Sequence, residues 1–363
     1  MRIGILGSRG IPNSYGGFEA CAEKLSRIWV QNGHEVSVYC SHLHPYKDKT
    51  WDNVNRISVY DPEHRLGTFG QFVYDGLCIK DARWQKFDIL LQLGYTSSGI
   101  WQAFLPKKSR VITNMDGLEW KRSKYNWAVK RFLKLSEAWA AKAAHQLVAD
   151  SKAIQSYLDH TYGPGSVFIP YGADIPDNPN PELLSKYSVE PGKYQLILAR
   201  MEPENHIETI LDGILLSQYN ETTLVVGASN NRYSDFLKNK YRDARIRFIN
   251  AVYDQNETDA LRTYCKRYFH GHSVGGTNPS LLEAMASGCL IYAHNNPFNQ
   301  EVLGSSARYF NNANQIAEAL NHPVDARQTA LWKKQNLETI RLHYNWNIIA
   351  EQYEVLFNYL LNN

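Results

Sequence analysis

The stretch "RIGILGSRGIPNSYGGFEACAEKLSRIWVQNGHEVSVYC", residues 2–40, decides the fold. It opens on a short apolar run, passes through a glycine-rich loop, takes up helical spacing of apolar side chains from about Phe18 to Gln31, and closes on a second strand, "EVSVYC". Strand, loop, helix and strand in that order form a crossover between parallel strands.

The alternation continues outward through "FDILLQ" (87–92), "RVITNM" (110–115), "AHQLVAD" (144–150) and "VFIPYG" (167–172), with helix-like stretches between most of these runs. Near-continuous apolar strands separated by helices predict a parallel sheet covered on both faces, an α/β protein. Three prolines, at 176, 179 and 181, then punctuate "DIPDNPNPELL" (174–184), which reads as a linker. A second series follows: "YQLILAR" (194–200), a helix from about Asn205, "TTLVVGA" (222–228), "RIRFINA" (245–251), a helix opened by Asn278-Pro279, and "CLIYAH" (289–294). The expected architecture is therefore two Rossmann-like domains, 1–172 and 173–345, facing a cleft. Residues 346–363 form a C-terminal helix that crosses back to the first domain.

Length and composition agree with this. A chain of 363 residues with 44% hydrophobic residues suits two ordinary cores. A formal net charge of +3 lacks the basic stripe of a nucleic-acid binder. Five cysteines, at 21, 40, 78, 265 and 289, are widely and irregularly spaced, which argues for neither a disulfide framework nor a zinc site and suits a reducing cytoplasm. The start lacks the hydrophobic region of a signal peptide, and no apolar run approaches the roughly 18 residues of a membrane span, so the expectation is a protein that is soluble or attached at a membrane surface.

Ligands of open parallel sheets bind beyond the carboxyl ends of the strands, and the unusual residues fall in those loops. In "GSRGIPNSYGGFE" (7–19), glycines would let backbone N–H groups approach an anion, and the helix that follows adds its positive end. The glycines do not make GxGxxG, and "CSH" after the second strand lacks the acidic residue of a dinucleotide site, so a dehydrogenase is disfavoured. The alternative is a glycine turn that serves only packing.

In "VGGTNPSLLEAMASG" (274–288), Asn278 is a good N-cap, Pro279 suits the first helical position, and Gly288 fits just past the end. The helix start points at whatever Gly275, Gly276 and Thr277 cradle. Glu283, amid Leu281, Leu282, Ala284 and Met285, reads either as half of a structural salt bridge or as a partner for sugar hydroxyls. Arg200, at the end of "YQLILAR", suits a diphosphate or an ordinary surface ion pair. Asp116 reads as a turn residue before Gly117 or as a positioning carboxylate.

Between Lys121 and Lys142 stand seven Lys or Arg, among them Arg122 and Lys124, against one acid, Glu137, with Tyr125, Trp127, Phe132 and Trp139 interleaved. That pattern suits an anionic membrane surface or, equally, a solvated basic helix face. Histidines 206, 270, 272 and 294 match no ligand spacing, so no metal is assigned.

Taken together these residues resemble glycosyltransferase family 4, of the two-domain GT-B fold. The likeness runs through "GGFE…LSRIWVQNGHEVSVY", "MDGLEWKR", "LVADSKAIQSYL", "FIPYGAD", "LARMEPEN" and "SLLEAMASGCLIYA". Within that family, "GSRGIPNSYGGFE", "NMDGLEWKRSKYNW" and "HGHSVGGTNPSLLEAMA" are most similar to bacterial rhamnosyltransferases that build capsule and cell-wall polysaccharide from dTDP-L-rhamnose.

The resemblance implies an acceptor-binding first domain and a nucleotide-sugar-binding second one. Glu283 would take the second acidic place of the family's Glu-x7-Glu motif, on the ribose. Arg200 would bind the diphosphate and Gly16-Gly17 would contact phosphate. Asn250, Ala251 and Val252 would face the base. Two places depart: Gly275 stands at the first acidic position, and Asn205 where the family carries a diphosphate lysine. Asp116 falls where many relatives carry a His beside the donor sugar. Loss of the lysine leaves more of the charge to Arg200, the helix end and Arg9.

The implied chemistry is retaining transfer with attack on the face the diphosphate leaves. No Asp-x-Asp occurs, so metal-independent stabilisation by Arg200 and backbone N–H groups is expected, with no cofactor beyond the donor. The implied partners are a nucleotide sugar, a lipid-diphosphate-linked saccharide acceptor and the inner face of the cytoplasmic membrane. Alternatives are the same fold with a UDP-hexose or UDP-HexNAc donor, a non-catalytic sugar-nucleotide binder, and an epimerase.

Overall fold

The computed structural model describes residues 1–14, 16–122, 125–228 and 231–363. Packing divides them into two units, one of residues 1–171 with 346–363 and one of residues 172–345.

The first unit is built on one sheet, whose described strands are β1 (Arg2–Leu6), β2 (Glu35–Ser41), β3 (Thr50–Trp51), β4 (Val54–Val59), β5 (Ile89–Leu93), β6 (Arg110–Asn114), β7 (Gln146–Ala149) and β8 (Val167–Phe168). Their order is β3-β4-β2-β1-β5-β6-β7-β8, parallel throughout except for the β3–β4 hairpin. In β1, Ile3 pairs with Val36 on one side and Ile89 on the other, and Ile3 and Ile5 are fully buried. A strand enclosed on both faces needs apolar residues at odd and even positions alike, which is what "RIGIL" supplies.

The β3–β4 hairpin is absent from the sequence reading. Asp52 and Asn53 turn it with φ of 47° and 65°, the double positive-φ turn that suits the twist of two paired strands. Asn tolerates that conformation, so "DN" was the available signal.

Helix Gly17–Gln31 covers the sheet through Cys21, Ala22, Leu25 and Trp29. Trp29 is wholly buried, meets Tyr353 and Phe357 edge-on at centroid distances of 5.9 and 5.1 Å, and donates its indole N–H to the Ala350 carbonyl at 3.2 Å. Helix Trp346–Asn362 thereby belongs to the first unit although the chain reaches it last. Each such aromatic pair adds about 1 kcal/mol beyond its area.

The second unit carries β9 (Tyr194–Leu198), β10 (Thr222–Val226), β11 (Ile246–Ile249), β12 (Arg267–His270), β13 (Ile291–His294) and β14 (Arg308–Phe310). Among the described residues these form an all-parallel sheet in the order β11-β10-β9-β12-β13-β14. Ile197, Ile210, Ile214, Phe269, Tyr292 and Phe310 belong to its core. The stretch read as a linker gives way at Pro181 to a short 3-10 helix, Pro181–Tyr187, capped by the Asn180 side chain. Strand order reverses direction between β1 and β5 in one sheet and between β9 and β12 in the other. A crevice at the carboxyl ends is expected at each such point.

Candidate functional site

In the second unit the loops that follow β9 and β12 meet at the reversal point. The β12 loop, residues 271–278, leads into helix Pro279–Ala286. Asn278 caps that helix by accepting from the Ser280 backbone N–H at 2.9 Å, and Pro279 occupies its first turn. Thr277 is nearly buried, Gly276 is buried, and Gly275 has φ of 114°, a left-handed conformation open to glycine at low cost. Gly288 ends the helix region with φ of 66°.

Glu283 lies one turn into this helix with its side chain 32% exposed. Its Oε2 accepts from Nη2 of Arg262, a residue the sequence reading missed. Arg262 belongs to helix Gln255–Thr263, and its side chain is only 3% exposed. A single arginine on an amphipathic helix gives no sequence signal of such burial.

Arg200 stands beyond β9 with its side chain 57% exposed and 3.8 Å from Glu202, a loose pairing that leaves the guanidinium facing solvent. Asn205, expected beside the donor, stands in the loop that follows Arg200. It is 6% exposed, its Nδ2 donates to the Arg200 carbonyl at 2.7 Å, and its Oδ1 sits 2.9 Å from His272 Nδ1. A short amide here braces the loop that carries Arg200 against the β12 loop; a lysine would project a charge instead.

The brace continues around the β12 loop. Asn296 and Asn299 each donate to the His272 carbonyl, at 3.0 and 3.1 Å, and the Ser273 N–H donates to the Glu204 carbonyl at 3.1 Å. A Cβ at Gly271 would come within 1.9 Å of the Asn205 carbonyl oxygen, so only glycine lets the two loops approach this closely.

The four histidines do gather beside these loops. His206 and His294 stack at 4.0 Å with an 8° interplanar angle, and His206 Nε2 lies 3.0 Å from the Ser273 hydroxyl. Burial pushes His270 down to about 3 and His294 down to about 4, with neighbouring histidines adding to each shift; it lowers His206 as well. At neutral pH these three rings are uncharged. Among the described residues no group of three or more His, Cys, Asp or Glu is arranged to hold a metal ion. Asn250 is exposed just past β11, and Ala251 and Val252 are half-buried beside it.

In the first unit the glycine loop lies at the β1–β5 reversal. A Cβ at Gly7, whose φ is 89°, would stand 2.0 Å from the Leu93 carbonyl oxygen, which explains the residue by packing. Gly16 is the N-cap of helix Gly17–Gln31 and Gly17 its first residue, with no side-chain cap. Glu19, 4% exposed, sits in the first turn and accepts from the Arg9 backbone N–H at 2.7 Å. The Arg9 guanidinium forms a fork with Glu63, at 3.0 Å from Nε and 2.8 Å from Nη2. Glu63 is lowered overall: burial would raise it, but Arg9 and Gln71 outweigh burial. Nearby, Asp75 accepts from the Ser97 hydroxyl at 2.6 Å, and burial pushes its carboxyl up to about 6. The sequence reading missed Asp75 because nothing in "FVYDGL" separates it from a solvated helix face.

Asp116 adopts φ of 51°, takes an Asn114 Oδ1 contact at its N–H at 3.0 Å, and accepts from the buried Tyr171 hydroxyl at 3.4 Å. It is thus both a left-handed turn residue and a carboxylate held in place.

On the basic segment, Lys121 is exposed and lies over the Trp120 ring at 5.5 Å. Arg122 closes on Glu119 at 2.6 Å with its side chain 14% exposed, so this cation is held by its own turn and does not project outward. Lys124 lies outside the described residues. Helix Trp127–Ala143, capped by Asn126, presents Trp127 at 73% exposure, with Arg131 at 5.6 Å from its ring. Its inward Glu137 is 1% exposed and accepts from Tyr95 at 2.9 Å, Trp120 at 3.1 Å, Tyr157 at 2.6 Å and Tyr162 at 2.7 Å.

Comparison with known proteins adds three findings. Residues 1–174 match a family model described as a domain of unknown function, DUF1972. A search of the curated proteins finds no match. Among solved structures, sucrose-phosphate synthase from Thermosynechococcus elongatus is similar at 17% identity and TM-score 0.80, with 99% of each chain covered. HepE from Anabaena, solved in complex with UDP and glucose, is similar at 15% identity and TM-score 0.76, again with 99% of each chain covered. The alpha,alpha-trehalose 6-phosphate synthase of Burkholderia multivorans is similar at 11% identity and TM-score 0.70, over 99% of this chain and 96% of that one. With two parallel-dominated sheets, these likenesses show the GT-B fold.

Proposed function

We propose that the chain is a retaining glycosyltransferase whose second unit binds a nucleotide-sugar donor at the β9–β12 reversal and whose first unit takes up the acceptor. One observation carries this reading. The start of helix Pro279–Ala286 is tied to the end of β9, where the Ser280 hydroxyl donates to the Leu198 carbonyl at 3.3 Å, with exposed Arg200 two residues past that strand end and Glu283 one turn into the helix.

In this reading the diphosphate lies against the helix start and the Gly275–Thr277 backbone, with Arg200 as the mobile cation. Glu283 accepts from the nucleoside sugar, and Asn250 and Val252 flank the base. The acceptor oxygen attacks the anomeric carbon as its bond to the diphosphate breaks, and a phosphate oxygen receives the acceptor proton. Arg200 and the backbone N–H groups stabilise the charge that grows on the leaving group, so no metal is required. Asp116, held by Tyr171 and Asn114, orients a sugar hydroxyl. In the first unit, Gly16 and Gly17 offer an uncapped helix start suited to an anionic group.

The donor is dTDP-L-rhamnose and the product a capsule or cell-wall polysaccharide precursor on a lipid diphosphate, made at the inner membrane face. The resemblance in "GSRGIPNSYGGFE" and "HGHSVGGTNPSLLEAMA" supports this donor. Exposed Trp127 beside Arg131 supports an anionic surface. No described helix is long and apolar enough to cross a membrane. A second reading, a UDP-hexose donor, is favoured by the likeness to HepE, which was solved with UDP and glucose.

Incubation with dTDP-rhamnose, UDP-glucose and UDP-GlcNAc, each with lipid-linked acceptors, followed by mass spectrometry and NMR of the product, tests the reading. Release of dTDP with a rhamnosylated product is expected. Transfer from UDP donors alone selects the second reading, and turnover of no donor overturns both.

A further inference from the structure

We infer that Arg262 is a positioning residue that holds one oxygen of Glu283 and presents the other to the nucleoside sugar, so that 2′-deoxyribonucleoside diphosphates are taken as readily as ribonucleoside diphosphates. The inference rests on the nucleotide-sugar reading of this site and narrows it.

Arg262 has one strong partner. Its Nη2 donates to Glu283 Oε2, whereas Asp259 Oδ1 stands 4.0 Å from Nη1. Its Nε and Nη1 make no hydrogen bond among the described residues. A guanidinium that is 3% exposed and so incompletely satisfied depends on that one carboxylate, because a buried unpaired charge is strongly unfavourable. Its backbone is equally constrained: the Cys265 and Cys289 thiols both donate to the Arg262 carbonyl at 3.1 Å. With its side chain buried and its Nη2 on Oε2, the arginine keeps that oxygen of Glu283 turned inward.

Oε1 has a different environment. The Glu283 side chain keeps 32% exposure, and no described residue hydrogen-bonds to Oε1. A carboxylate that recognises a ribose diol in fork fashion uses both oxygens, one for each hydroxyl. Here one of the two is committed to a buried cation and the fork is lost: the remaining oxygen can take one hydroxyl in line and the vicinal one only at a poorer angle. The 3′-hydroxyl is common to ribose and deoxyribose. A site discriminates by a hydroxyl only when it has built a buried partner for it, and Glu283 has no second oxygen to offer the 2′-hydroxyl.

Calorimetric titration with UDP and dUDP, which differ only in the 2′-hydroxyl, reads this directly. Wild-type protein is expected to bind the two within about threefold of each other. In Arg262→Met both Glu283 oxygens are released, and UDP should then be preferred over dUDP by about tenfold. Arg262→Lys, whose shorter side chain withdraws from Oε2, should move the ratio the same way and serves if the methionine variant does not fold. A role for Arg262 in stability alone would lower the melting temperature and leave the ratio unchanged.

A wild-type preference for UDP of tenfold or more, or a ratio that is the same in wild type and folded variants, overturns the inference while leaving the nucleotide site intact. Binding of neither nucleotide overturns the site reading and the inference with it.

Discussion

Glu137 and Glu283 are each the lone carboxylate of their helix, yet their surroundings differ in kind. Glu137, in the first unit, is 1% exposed and receives four neutral donors, three tyrosine hydroxyls and an indole N–H, spread over both oxygens. Burial, with the charge of Glu137 added, pushes Tyr95 and Tyr162 well up and Tyr157 to about 12, so all three phenols remain donors at any ordinary pH. Glu283, in the second unit, has one charged partner on one oxygen and a partly exposed face on the other. A buried polar group with every lone pair answered serves structure, and one with an unanswered, accessible atom is poised for a ligand. The contrast separates two glutamates that look alike in sequence.

The largest expected effect comes from breaking the closed site. Glu137→Ala would leave the buried Tyr95 hydroxyl and three half-buried donors, on Trp120, Tyr157 and Tyr162, without their partner; an unsatisfied buried donor costs about 1–3 kcal/mol and the half-buried ones less, so the first unit should lose roughly 4 kcal/mol in urea denaturation. Nucleotide affinity of whatever protein remains folded should be unchanged. Glu137→Gln keeps one acceptor oxygen and should cost less than half as much.

At the open site the effects divide differently. Glu283→Ala strands the Arg262 charge and should destabilise the second unit by about 3–5 kcal/mol, the range for breaking a buried pair. Glu283→Gln keeps an oxygen for Arg262 and puts an amide N–H₂ where a hydroxyl acceptor stood. It should remain folded by thermal melting and weaken nucleoside diphosphate binding about tenfold or more.

The histidines sharpen the comparison through pH. His270 is held down to about 3 by burial, with His272 and His294 adding to the shift, whereas an unfolded imidazole titrates near 6.5. The lowered folded value means that stability is complete above about pH 6.5 and is lost as pH falls, because only the unfolded chain gains the proton. From pH 6.5 to pH 5, before most carboxylates titrate, His270 alone should remove roughly 2 kcal/mol, and His270→Asn should flatten that slope. The Arg9–Glu63 pair contributes in a lower window: a depressed glutamate adds stability above its unfolded value near 4.3, lost on further acidification. The smallest effect is expected at Trp127. Trp127→Ala should change stability by under about 0.5 kcal/mol yet reduce binding to phosphatidylglycerol vesicles, and unchanged vesicle binding would remove the membrane from the account.

The fold was legible because buried parallel strands leave apolar runs that no helix interrupts, as in "RIGIL" and "YQLILAR". The β3–β4 hairpin was missed because Thr50–Trp51 is too short for a pattern. The cap at Asn278, the glycine stop at 288 and the position of Arg200 follow from local rules and stand where the sequence put them. Arg262, the brace around Asn205 and the ring of donors on Glu137 were not legible. Each depends on at least one partner 17 to 67 positions away in sequence that only the tertiary structure brings to one side chain. Asn205 is instructive, since an asparagine where the resembled sequences carry a lysine reads in the sequence as a loss and in the structure as a built contact between two loops.

The most direct test is a matched titration of wild type, Glu137→Gln and Glu283→Gln with a nucleoside diphosphate, each variant shown to be folded beforehand. The account predicts that Glu137→Gln binds as wild type does and that Glu283→Gln binds at least tenfold more weakly. Equal affinity in all three, or no binding by wild type, would contradict it.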